Sequence, residues 1–292
     1  VCFARSRLRR ERAKQTLAVL TPMIEVDCSV LEGGGQIIRN CLAFAAVLQK
    51  PVHLFNIRHN RPKPGLSKQH LLVTQIVADL TRGRLEGSTL QSVDLRFTPS
   101  TTCTDAHSLS YDVGSAGSIS LILQAVLPCL FFLPLSSPFQ LTLLGGTDVP
   151  FSPLIDHVQH VLLPSLAGMG LSANLLTSRR GFYPAGGGVV DLTVLSAGAV
   201  GAVGAQGLDL TCPGRVLGVA GRLCGAGAHF TQLVAEKFEE LLATALVRFF
   251  RTRALPEAEA YLAAKGLFGA DLPVSALVGG DDGRGVTGRG GG

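Results

Sequence analysis

Glu32, three consecutive glycines (Gly33, Gly34 and Gly35), Gln36 and Arg39 stand between an alternating strand-like run and a long apolar one. Two readings fit that spacing. The glycines make a tight turn, or they let an anion lie against backbone that carries no Cβ. A helix starting at such a loop offers unpaired N–H groups and the positive end of its dipole. A second stretch, IRHNRPKPGLSKQH, gathers Arg58, Arg61, Lys63, Lys68, Gln69 and His70. Pro62 and Pro64 restrict how far its cations wander, and guanidinium forks match phosphate oxygens in bidentate geometry. The plainer reading is a solvated basic loop. Neither stretch matches the P-loop or the dinucleotide fingerprint, so neither of those sites is expected.

Other polar residues have two readings each. Gln124 interrupts a strongly apolar stretch. Buried there, its amide needs partners, supplied either by neighbouring backbone or by a nucleotide. His157 and His160 lie three apart with no third ligand near, and read as structural. RRGFYPAGGGVV (179–190) sets Phe182, Tyr183, a proline and three glycines between strands. It is a strained hairpin or a platform on which a base or sugar stacks. Cys28 and Cys41 read as packing residues.

The elements that must position these residues follow from periodicity. A strand from Met23 to Cys28, the glycine loop, a helix over 36–49 ended by Pro51, and a strand over 52–58 come first. A helix over 68–81 and a strand pair within 83–99 follow. The order β-α-β-α-β-β then recurs: a strand at SLSYDV, a Gly/Ser loop, a helix over 119–133, the strand FQLTLL, a Pro/Gly loop, a helix over 154–166 and two closing strands. Equivalent loops lie roughly 80–90 residues apart, the mark of an internal duplication. The expected organisation is a basic extension at 1–22, two repeats at 23–99 and 107–192, an α/β segment at 193–278, and a disordered Gly-rich tail at 279–292. Within 193–278 the chain opens with a small-residue linker. RVLGVAGRL reads as a strand and 230–250 as an amphipathic helix. The fold class is α/β (α+β): tandem β-α-β-α-β-β repeats whose sheets carry helices on one face, followed by a further α/β segment.

Composition bounds the rest. The chain has 292 residues, 47% of them hydrophobic and 16% charged, enough for a sizeable core. A net charge of +5 favours anionic partners mildly. The seven cysteines form no C-x-x-C pair, which points away from a disulfide framework or zinc site and towards a reducing compartment. The apolar stretch 119–135 contains Gln124, Pro128 and Pro134 and reads as a buried helix, not a membrane span.

Five ordered motifs, EGGGQIIR, IRHNRPKPGLSKQHL, GSAGSISLILQAVLP, GGTDVPFSPLID and RRGFYPAGGGVV, resemble the RNA 3'-terminal phosphate cyclase family. The resemblance is close over 23–190 and weaker through the following strand and helix. It implies three such repeats, with a small α/β domain inserted in the third. The implied reaction turns an RNA 3'-phosphate into a 2',3'-cyclic phosphate, with ATP as substrate and Mg2+ or Mn2+. AMP passes to an active-site histidine and then to the RNA phosphate, and the 2'-OH displaces it. The partners implied are ATP and RNA 3' ends, with no membrane. The implied location is intracellular, in the nucleoplasm of a eukaryote and otherwise in the cytoplasm. By the resemblance, Gln124 and Pro153 line the ATP site. Glu32, the glycines 33–35, Arg39, Arg58, Arg61, Gln69 and His70 bind phosphate or RNA, or support the site.

The resemblance stops short of the nucleophile. The family's histidine lies in a His-x-x-Thr-Asn-like segment after the inserted domain, and this sequence contains no such segment. No catalytic residue is therefore assigned, and the chain reads as a C-terminally incomplete member. The alternative is a non-catalytic relative that binds RNA in ribosomal RNA processing. A carboxyvinyl transferase on the same repeat is a third reading, disfavoured by the motif order.

Overall fold

The computed structural model describes residues 22–197 and 205–211, and the backbone of strands Val219–Cys224, Val274–Gly279 and Gly285–Thr287. The rest of the basic extension, the centre of the linker and the 230–250 helix lie outside the described residues.

Short runs of alternating or β-branched residues form the strands, and longer runs with apolar residues three and four apart form the helices. The first repeat comprises β1 (Ile24–Asp27), α1 (Gly35–Leu48), β2 (Val52–Phe55), α2 (Lys68–Thr81), β3 (Arg84–Glu86) and β4 (Leu95–Thr98). Left-handed Gln49 closes α1 ahead of Pro51, and left-handed Arg82 closes α2. The second repeat comprises β5 (Ser108–Asp112), α3 (Ile119–Phe132), β6 (Phe139–Gly145), a helical segment α4 (155–168), β7 (Ala173–Arg179) and β8 (Gly188–Val194).

The two sheets share one topology. Their orders are β1-β2-β4-β3 and β5-β6-β8-β7. In each, the first two strands pair parallel and the remaining pairs run antiparallel. This is the α/β class of tandem β-α-β-α-β-β units expected from the sequence. The crossover helices pack on each other between repeats: α1 and α2 both lie against α3. That contact explains why α3 is apolar almost all round, with Ile122, Leu123, Val126 and Leu130 buried. Each such side chain contributes about 1.5–3 kcal/mol on leaving water. No helix among the described residues is long and apolar enough to cross a membrane. Cys28, Cys41, Cys103 and Cys129 are free thiols, and burial pushes Cys28 and Cys129 up to about 12, so neither is primed as a nucleophile.

The fourth helix and the tail differ from expectation. The fourth helix is not continuous, because a π turn at Val158–Leu162 joins Ile155–His157 to Leu163–Gly168. Pro164 has no N–H to continue the α ladder at that junction. The compact unit holding the repeats extends to Leu208. Beyond β8 the chain stays attached through Leu195 N–H to the Ser172 carbonyl and Gln206 N–H to the Met169 carbonyl. The second unit, Asp209–Gly292, holds a sheet of order β11-β10-β9, formed by Val219–Cys224 (β9), Val274–Gly279 (β10) and Gly285–Thr287 (β11). β11 lies in the tail expected to be disordered. It pairs antiparallel with β10, and its Val286 and Thr287 are β-branched strand formers. The rest of the tail lies outside the described residues.

Phe97 in β4 is fully buried. Phe97→Ala should lower unfolding free energy by about 3–5 kcal/mol through lost burial and the cavity left behind. Urea denaturation measures this. A loss under 1 kcal/mol would mean the first sheet does not pack as described.

Candidate functional site

The opening glycines do different jobs. Gly33 is buried at φ +59, and its N–H reaches the Val30 carbonyl at 3.1 Å, so it makes a tight turn. Gly34 is the N-cap of α1 and leaves that helix without a side-chain cap. The first amides of α1 are thus left for an anion. Gly35 makes room for a neighbour, since a Cβ there would run into Nε2 of His70.

His70 is itself fixed by α2. Its Nδ1 accepts from Ser67 N–H at 3.3 Å and lies 2.8 Å from Ser67 Oγ, completing a capping box. An Nδ1 that accepts a backbone N–H carries no proton, so the neutral ring holds its proton on Nε2, at the face towards Gly35. Burial, then the charges of Arg58 and Arg39, lower its pKa to about 3.

The basic loop after β2 is not loosely solvated. Ile57 and Leu66 are buried plugs at its two ends. Ile57 N–H bonds to Val93, Leu66 N–H to Ser92 and Gly65 N–H to Ile57. Asn60 Nδ2 donates to the carbonyls of Ser29 at 2.9 Å and Leu31 at 3.3 Å, tying the basic loop to the glycine loop. Arg58 Nη1 donates to the Gly65 carbonyl at 2.9 Å, and Arg61 pairs with Glu32 at 3.2 Å.

Contacts between repeats complete the site. Arg39, buried on α1, donates from Nε to Oε1 of Gln124 on α3 at 3.2 Å. Ser118 N–H, at the start of α3, donates to Gln69 Oε1 at 2.8 Å, and Lys68 Nζ reaches the Gly114 carbonyl at 3.1 Å. Ser120 Oγ donates to the Pro153 carbonyl at 2.6 Å. The result is one open cleft of ≈ 840 Å³. Its walls hold Glu32, Gly34, Gly35, Arg39, Arg58, Arg61, Gln69, His70, Gln124 and Pro153. Of the sequence-derived site residues only Gly33 is outside the lining.

Gln124 corrects one expectation. It is exposed, not buried: it points off the one uncovered strip of α3 into the cleft, and its partner is an arginine, not backbone. The cleft's lining carries three guanidiniums against one carboxylate, Glu32. Burial lowers the pKa of Arg39, and burial followed by the charge of Arg61 lowers that of Arg58. Both are held by neutral oxygens, and among the described residues neither makes a salt bridge. Arg39 and Arg58 are thus two partly desolvated cations without a carboxylate partner among the described residues.

The sequence profile of RNA 3'-terminal phosphate cyclase matches residues 30–248. The chain belongs to the RNA 3'-terminal phosphate cyclase family. It is 48% identical over 172 residues to the RNA 3'-terminal phosphate cyclase of Hyperthermus butylicus, covering 59% of this chain and 47% of that protein. It is 43% identical over 172 residues to that of Desulfurococcus amylolyticus, with the same coverage. It is 40% identical over 173 residues to a probable RNA 3'-terminal phosphate cyclase of Dictyostelium discoideum, covering 59% of this chain and 40% of that protein. The chain spans about half the length of the curated cyclases it matches.

Within this cyclase-family cleft, sequence reading missed several lining residues. His157 sits exposed on the cleft wall, on the segment that carries Pro153, although its spacing from His160 read as structural. Ser120 and Phe151 also line it. The resemblance implies a divalent metal as an expectation. Glu32 is the one carboxylate in the lining, and no group of three or more metal-ligating side chains occurs among the described residues. That donor set fits an ion arriving with a polyphosphate better than a resident all-protein site.

His70 makes a testable contribution to pH dependence. Its folded pKa of about 3 lies below the unfolded value of 6.5. Its contribution is full above pH 6.5 and is lost as pH falls through 6.5 towards 3, because the unfolded chain then binds a proton the folded one refuses. The slope reaches up to ~1.4 kcal/mol per pH unit in that window. Urea midpoints between pH 7 and 4 should fall less steeply in His70→Gln than in the parent chain. Equal slopes would show that His70 is not held neutral.

Proposed function

We propose that the two repeats form the polyphosphate- and RNA-phosphate-binding half of an ATP-dependent RNA 3'-phosphate cyclase. The reading rests on the convergence of Arg39, Arg58 and Arg61 with Gln124 and Pro153 in one cleft that spans both repeats. In that reading ATP lies with its triphosphate on the arginines and the α1 amides, and its nucleoside against Gln124 and Pro153. Glu32 orients Arg61 and helps hold the metal that accompanies the triphosphate. When bound, that metal offsets crowded negative charge.

The chemistry explains why such a cleft is needed. A phosphate monoester is a poor electrophile until a leaving group is attached. Transfer of AMP to the RNA 3'-phosphate attaches one. The neighbouring 2'-OH then attacks the terminal phosphorus, the bond to AMP breaks, and the 2',3'-cyclic phosphate forms. Each stage gathers anionic oxygens that repel one another. Fixed guanidiniums and helix amides favour that arrangement without reorganising. His70, neutral and donating from Nε2, adds a hydrogen bond that does not depend on pH near neutrality. The role proposed for these repeats is substrate binding and alignment, on RNA ends inside the cell.

Isothermal titration of ATP with Mg2+ into the chain should show one saturable site. Arg39→Ala should weaken it by about 1.5–3 kcal/mol, roughly tenfold or more in Kd. An oligoribonucleotide ending in a 3'-phosphate should compete, and the same oligonucleotide ending in 3'-OH should compete less well. Binding that is absent, or that ignores both Arg39→Ala and the terminal phosphate, would overturn the reading.

A further inference from the structure

Beside the main cleft lies a second cavity of ≈ 440 Å³ that the proposed chemistry does not use. It shares Gln69, Leu121 and Phe151 with the cleft, so the two adjoin. Its lining differs in kind, because no residue in it carries a charge. Two aromatic rings stand at its edge. Phe151 is 104% exposed and Tyr183 is 70% exposed. Neither ring therefore supports the packing of the unit that holds it.

The loops that carry these rings are firmly held. Thr147 N–H and Asp148 N–H both bond to the Gly181 carbonyl, and Gly181 N–H returns to Thr147 Oγ1 at 2.9 Å. Arg180 grips Asp148 at 3.1 Å and Asp156 at 2.8 Å, clamping the segment that contains Phe151 from both sides. Asp148 pairs with Phe182, next to Tyr183. On the far side the hairpin abuts the Gly/Ser loop, where a Cβ on Gly186 would lie 2.7 Å from the Ser115 carbonyl. Phe151 also sits at φ +61, a conformation disfavoured for a bulky residue and maintained by its surroundings.

We propose that this cavity is a nucleobase subsite for single-stranded RNA, in which Tyr183 and Phe151 stack bases next to the phosphate held in the cleft. This deepens the cyclase reading and rests on it. Exposed rings on firmly bonded loops offer faces for stacking, and every base offers a flat π face. The absence of charge in the cavity suits a base, as the cations next door suit its phosphate. Gln69 gives its Oε1 to Ser118 N–H, which leaves its amide NH2 free to donate to a base edge. Two separate rings fit successive bases of a strand better than the single base of ATP.

The test compares the chain with Tyr183→Ala, Phe151→Ala and Tyr183→Phe. The probes are tripolyphosphate, 2-aminopurine riboside triphosphate and a 3'-phosphorylated oligoribonucleotide carrying 2-aminopurine near its 3' end. The fluorescence of the RNA probe should be quenched on binding. Tyr183→Ala should relieve the quench and weaken RNA binding on the order of tenfold, and leave tripolyphosphate affinity unchanged. Phe151→Ala should also reduce the quench, and Tyr183→Phe should keep it. RNA affinity and quench unaltered in Tyr183→Ala overturn the subsite while leaving the cleft reading intact. Loss confined to the triphosphate probe assigns the rings to ATP instead and equally overturns it. Alanine variants that change only self-association in sedimentation would make the rings a protein-contact surface. Failure of the parent chain to bind tripolyphosphate would remove the cleft reading and this subsite with it.

Discussion

The guanidinium of Arg39 is buried on the first repeat and answered by a neutral amide on the second. That single cross-repeat contact governs the site. A cation removed from water without a carboxylate partner is costly. The contact exists because α1 and α2 pack against α3. That helix layer buries the apolar faces of three helices and leaves one strip, around Gln124, open to the cleft. The Gln69–Ser118 and Lys68–Gly114 bonds repeat the link at the other end. Core packing and the placement of the cleft residues are thus set by the same interface.

Division of labour follows from loop chemistry. Loops from the first repeat supply charge: the glycine turn, the amides of α1 and the arginines of the basic loop. The second repeat supplies neutral surface: Gln124 from α3, and Pro153 and the exposed rings from loops. Family membership gives that division a meaning, because a nucleotide carries both kinds of surface, an anionic chain of phosphates and an uncharged base. Neutral His70 joins the two kinds. Pressed against Gly35, it carries a donor without adding a charge that would change with pH near neutrality.

Much of the fold was legible because it depends on local pattern. The helix over Lys68–Thr81 matches the periodic run residue for residue, and the equivalence of the two sheets follows from repeated element order. The motif residues were legible too, since Gly, Arg and Pro in loops have few reasons to cluster. What pattern missed depends on long-range packing. Gln124 read as buried because its helix is apolar, yet only the docking of α1 and α2 decides which strip stays open. His157 read as structural because the wall it joins is built by other elements. The break in the fourth helix traces to Pro164, a local signal that the apolar periodicity outweighed. The attachment of the chain through Leu208 depends on backbone bonds to 169 and 172 that no local pattern announces.

The central claim is that one anion engages all three cleft arginines at once. The most direct measurement follows their Nε–Hε resonances by NMR during titration with tripolyphosphate. The account predicts that Arg39, Arg58 and Arg61 shift together along one binding curve, while Arg84, exposed and paired with Glu86, stays still. Shifts spread over surface arginines including Arg84, or separate curves for Arg39 and Arg61, would contradict it.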